Sequence, residues 1–153
     1  MSNAQKVDGL DGDFGTGVAI IKMYYTYNAS ATLAVKDVVA LDFADSTYGR
    51  MRSVDIADAT VNDLACGVVI DLLGTSGTAA GDILVQVRGV ATGVDCDAGT
   101  ARYDPLIASA TAGDAKIYVN SGIESPFAYA LDNVSSSECD IYLPDIYNLA
   151  RLA

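Results

Sequence analysis

The chain contains no histidine. That absence removes Ser-His-Asp triads, Cys-His dyads, HExxH zinc sites and every imidazole general base. Basic residues are scarce too: 9 Lys and Arg stand against 20 Asp and Glu, a formal charge of −11 over 153 residues. Nucleic-acid binding needs clustered Lys and Arg to meet phosphates, and anionic lipid attracts basic segments, so this balance argues against both partners. No apolar run approaches the about 18 residues of a membrane-spanning helix. The first 13 residues are polar and lack a charged segment followed by an apolar one, so no secretory signal is expected. Tryptophan is missing and phenylalanine is rare, with three Phe against nine Tyr.

Cysteine is limited to Cys66, Cys96 and Cys139. An odd number cannot close into a full disulfide set within one chain, and no two form a CxxC pair. They read as small buried hydrophobes of a reducing compartment. A nucleophilic thiol would need a base, and no imidazole is there to serve.

What is present points to a folded domain. Hydrophobic residues make up 51% and charged residues 19%, the reverse of a disordered composition. The length suits one domain. Residues 1–16, rich in Gly and Asp, read as an N-terminal arm, 17–143 as the folded domain and 144–153 as a tail. Asp8, Asp11 and Asp13 do not match the calcium-loop spacing and read as a solvated acidic loop. Gly12 to Gly17 has glycine spacing but no Gly-Lys-Ser/Thr and follows no strand, so it is not a phosphate loop. Two sequons, at Asn28 and Asn133, read as chance matches in the absence of a signal peptide.

Period-two alternation of apolar and polar residues recurs along the chain, which is the strand signature. Val18–Tyr27 carries Ala19, Ile21, Met23, Tyr25 and Tyr27 on one face. Asp37–Phe43 places Val39, Leu41 and Phe43 together. Arg50–Val54, Cys66–Asp71, Asp82–Val90, Lys116–Val119, Phe127–Leu131 and Glu138–Leu143 continue the series. In Asp82–Val90, Ile83, Val85 and Val87 are expected inward, with Gln86 and Arg88 outward. The 14 glycines fall mostly between these runs, as turn residues do. Helix signals are thin: a turn or two over Ile56–Leu64, and a short C-terminal helix over Asp145–Leu152 with Asp145 as its cap. The prediction is an all-β fold, a small barrel or sandwich of about seven to nine short strands.

No catalytic, cofactor-binding or metal-binding residue is predicted. The acidic neighbours Asp95/Asp97 and Asp55/Asp58 are the only equipment for acid-base chemistry, and 20 acidic residues produce such pairs by chance. The scarce arginines are better candidates. Arg50 and Arg52 share a strand face, and with Arg88 and Arg102 they read either as solvated strand-face residues or as partners for carboxylates between subunits. Tyr24 and Tyr25 join them, because tyrosine combines apolar area with a polar tip suited to interfaces. Asp13 and Phe14 of the arm complete the candidate interface set.

Several segments, in order, resemble the phage capsid decoration (cement, head-stabilising) proteins. They are Lys36-Asp37-Val38-Val39, Cys66-Gly67-Val68-Val69, and Gly81-Asp82-Ile83 running to Val87-Arg88-Gly89-Val90. Gly113-Asp114-Ala115, Phe127-Ala128-Tyr129-Ala130-Leu131 and Cys139-Asp140-Ile141-Tyr142-Leu143 follow. The resemblance covers about two-thirds of the chain. The chain departs at Phe127 and Tyr129, where such proteins carry smaller residues, and in its longer N-terminal portion. The resemblance implies a β-barrel that binds the outer surface of an assembled icosahedral head. It implies a homotrimer bridging subunits of the major capsid protein, made in the host cytoplasm and carried on the virion. No nucleic acid, membrane, cofactor or small-molecule substrate is implied. Two other readings stand beside it: a tail, fibre or host-attachment module, and a small carboxylate-dependent β-barrel enzyme.

Overall fold

A computed structural model describes residues 20–28, 31–44, 52–60, 64–119 and 125–144. Among these residues there are nine strands and no helix. In chain order they are β1 (Ile21–Tyr27), β2 (Val38–Leu41), β3 (Ser53–Ile56), β4 (Ala65–Asp71), β5 (Gly81–Asp95), β6 (Pro105–Ala108), β7 (Ala115–Ile117), β8 (Ala128–Ala130) and β9 (Glu138–Leu143). The all-β expectation holds. The arm (1–16), the C-terminal helix over 145–152, and the candidates Asp13, Phe14 and Arg50 lie outside the described residues.

Five strands close a barrel in the order β1-β3-β2-β4-β5, with β5 returning to β1. The β1–β3 pairing is parallel and the others are antiparallel. The first half of β5 makes that closure, from Gly81 opposite Tyr27 to Arg88 opposite Ile21. Its second half leaves the barrel and pairs with β9, opening a second sheet in the order β5-β9-β8-β6-β7. The strand bends where Gly89 and Gly93 take φ of 91° and 63°. Backbone of that kind suits glycine, which has no Cβ to clash.

Two cores follow from this layout. Tyr25, Tyr27, Val39, Leu41, Val54, Ile56, Cys66, Val69, Ile83 and Val85 fill the barrel, with Leu33 from the β1–β2 loop. The second core lies between the barrel wall and the second sheet. Val38, Ala40 and Val68 supply one side, and Ala91, Val94, Leu106, Ala128, Ala130, Ile141 and Leu143 the other. Strand β2 is therefore buried on both faces, and its four residues alternate between the cores. A bulge in β4 skips Cys66, since Val39 pairs with Gly67 and Ala40 with Ala65. The skip places Cys66 in the barrel while Val68 faces the second core.

Backbone bonds lock the two units. Val38 N–H donates to the Gly113 carbonyl, Gly113 N–H to Ala57 and Ala57 N–H to Val38, at 2.7–2.9 Å. Ile56 ends β3, and Asp58 Oδ1 caps the following turn by accepting from Thr60 N–H and Oγ1. The run expected to hold a helical turn is thus a strand end and a tight turn over its described part.

Candidate functional site

The second sheet turns its inner face to the core and its outer face to solvent. On β9, Cys139, Ile141 and Leu143 are buried while Glu138, Asp140 and Tyr142 point outward. On β8, Ala128 and Ala130 are buried and Tyr129 is exposed. The register then assembles a row that no single strand reveals. Val90 of β5 pairs with Tyr142, Tyr142 with Tyr129, and Tyr129 with Pro105 of β6. Tyr118, just past β7, donates its N–H to the Pro105 carbonyl at 2.8 Å and continues the row. Directly opposed side chains on one sheet face lie about 4.5–5.5 Å apart at Cβ, so these residues form a contiguous band. Tyr103 sits at the rim, 73% exposed, its N–H bonded to Ala130 O. The Arg102 guanidinium lies 4.9 Å from the centre of the Tyr103 ring.

The chemistry changes sign along β9. Beyond Tyr142 come Asp140, whose Oδ1 accepts from Gly93 N–H at 2.9 Å, and Glu138, ion-paired with Lys36 at 2.8 Å. The face thus carries phenols over apolar area at one end and carboxylates at the other. Such a surface suits a flat protein contact. Tyrosine gives large rigid area at low entropy cost and is enriched at interfaces.

The candidates from the sequence divide. Tyr24 is 68% exposed on the outer wall of the barrel, opposite Leu84. Tyr25 is a correction: it is buried in the barrel core opposite Ile83, so it cannot offer a surface. Alternation along β1 assigns odd positions to the inside, and Tyr25 and Tyr27 follow it while Met23, near the barrel rim, is exposed. The described arginines do not gather. Arg52 precedes β3 beside Thr26, whereas Arg88 pairs with Ile21 at the other end of β1, about 17 Å along the strand. Arg102 stands apart on the β5–β6 loop with Tyr103. Gln86, expected outward, is buried and donates through Nε2 to the carbonyls of Arg88 and Val90, because the bend of β5 folds over it.

The acidic neighbours serve the architecture. Asp97 accepts from Ser109 Oγ at 2.7 Å, while Asp95 faces Asp37 instead. Asp37 is buried beneath Gly113 and accepts from Ala34 N–H at 2.7 Å. Burial, with Asp95 and Asp114 nearby, pushes its carboxyl up to about 6. Burial also raises Asp95 and Asp114. Asp55 bonds the N–H of Ile56, and Asp58 serves its turn. Among the described residues, no group of three or more Cys, Asp or Glu is arranged to hold a metal ion. No helix among them is long and apolar enough to cross a membrane.

The tyrosine row is not legible in the sequence, because Tyr129 and Tyr142 lie on separate strands and only the register joins them. No family model matches the chain, and no curated protein matches it.

Proposed function

We propose that this chain is a structural protein of a phage particle. It decorates the outer surface of the assembled icosahedral capsid, as a homotrimer bridging neighbouring major capsid subunits, and it is not an enzyme. The observation that carries the reading is the outward band of Val90, Tyr142, Tyr129, Pro105 and Tyr118 on the second sheet of an acidic chain. A chain built to bind a protein surface needs such a band and needs no titratable cluster in a cleft. The order of its segments, which resembles that of decoration proteins, supplies the kind of partner. Joining copies into a trimer turns a modest contact per subunit into strong holding on a repeating lattice.

The test is physical. The purified full chain is expected to run as a discrete trimer in sedimentation velocity and to co-sediment with assembled empty heads. A reconstruction of the decorated particle should then place its second sheet against the capsid. A monomer that stays in the supernatant overturns the reading.

A further inference from the structure

Cys96 and Cys139 are 43 residues apart in the sequence and meet in the second core. Cys96 follows β5 directly and Cys139 is the second residue of β9. The register pairs Val94 with Cys139, and Cys96 N–H donates to Ser137 O at 2.8 Å, so the two cysteines are diagonal neighbours on the inner face. Both side chains are buried, and their Sγ atoms stand 2.7 Å apart. Carbon atoms in van der Waals contact rest at about 3.5–4.0 Å and sulfur is larger, so the two sulfurs stand closer than an ordinary packing contact. A disulfide needs about 2.05 Å, with its two residues already on adjacent backbone. We infer that Cys96 and Cys139 are a disulfide site, and that oxidation staples the end of β5 to the start of β9.

Cys66 takes no part. It lies in the barrel core, separated from the pair by the barrel wall, and burial pushes its thiol up to about 12. An odd cysteine count therefore resolves into one pair and one inert thiol. The two thiols touch each other directly, so either can open the reaction and the other closes it.

The oxidant is a low-molecular-weight disulfide, RSSR. One of the two cysteines, as its thiolate, attacks one of its sulfurs; that S–S bond breaks, RS⁻ leaves and a mixed disulfide forms on that cysteine. The other cysteine then loses its proton and attacks the sulfur of the first, expelling the second RS⁻. The protons given up by the two cysteines convert both leaving groups to RSH. The two cysteines are oxidised by two electrons and RSSR is reduced. The Ser135–Glu138 turn covers the pair, and Ser136 and Ser137 in it both hold positive φ (52° and 65°) next to β9.

The experiment uses the full chain, equilibrated without denaturant in oxidised glutathione or in a phosphine reductant, then alkylated after unfolding. The reduced protein should take three alkyl groups. The oxidised protein should take one, weigh two hydrogens less, and yield a peptide linking Cys96 to Cys139. C66S should keep the link, and C96S and C139S should each lose it. The thermal midpoint of the oxidised form should rise by roughly 8–16 °C, as closing a loop of this length predicts. Three alkyl groups after oxidation, a link through Cys66, or glutathione retained on Cys96 or Cys139 without the internal bond would each overturn the inference.

Discussion

Val38 and Val39 are neighbours in sequence, and their side chains lie in two different cores. Val39 fills the barrel opposite Ile56, while Val38 faces the second sheet. Strand β2 is thus a wall shared by both. Alanine at either position is expected to cost about 2 kcal/mol, from lost burial and an incompletely closed cavity. The diagnostic is a double-mutant cycle. V39A with I56V should couple by about 0.5 kcal/mol or more because they share a core, whereas V38A with I56V should add. Urea unfolding of the parent and the five variants measures both.

Gly67 sits where β2, β4 and β5 crowd together. A Cβ there would lie 2.4 Å from the carbonyl oxygen of Gln86 and 2.6 Å from Val85 Cγ1. The obstacle on one side is backbone, which cannot rotate away. G67A is therefore expected to destabilise by about 1–3 kcal/mol, the cost of overpacking. A chemical-denaturation midpoint equal to that of the parent protein would show that the barrel wall gives way more easily than this spacing implies.

Asp37 makes stability depend on pH. Its folded carboxyl is pushed up to about 6 from an ordinary 3.8, first by burial and then by Asp95 and Asp114. The folded state therefore keeps this proton to higher pH than the unfolded chain does. The resulting stabilisation is fully present below about pH 4 and is lost as pH rises through about 6. Asp95 and Asp114 shift the same way, Glu138 adds repulsion at Asp95, and Lys36 opposes it. Stability should fall by about 1 kcal/mol from Asp37 between pH 5 and 7, discounting for water at this junction. D37N keeps the acceptor for Ala34 N–H and should flatten the slope. Thermal melts across that range decide the matter, and an unchanged slope would remove Asp37 from the account.

Tyr129 and Tyr142 carry the proposed contact. Because Tyr129 is 37% exposed, Y129S should change unfolding stability by less than about 1 kcal/mol. The double change Y129S/Y142S should weaken co-sedimentation with heads at least about tenfold, as loss of central aromatic anchors does. Retained binding in that double variant would shift the contact to another surface, with Tyr24 on the barrel wall next in line.

Strands with one covered face were legible in the sequence. Cys139, Ile141 and Leu143 alternate with polar residues, and β9 spans the expected Glu138–Leu143. Strand β6 was not seen, because it opens on Pro105 and its next three residues, Leu106, Ile107 and Ala108, are all buried. A run covered on both faces has no alternation to read. Strand β5 was read only to Val90, since Gly89 and Gly93 look like turn punctuation and instead bend a continuing strand. The tyrosine row and the cysteine pair were beyond reach for one reason. Both are set by which residue lies across from which, and register between distant strands is not written in any local pattern.

That β5 belongs to both sheets has a mechanical consequence. A load applied at Tyr142 crosses one ladder of hydrogen bonds to Val90, and from there runs along covalent backbone to Ile83 and the barrel closure. The barrel cannot stand still while the second sheet is pulled. The molecule transmits force as one strut, and its two sheets should yield together, in a single step.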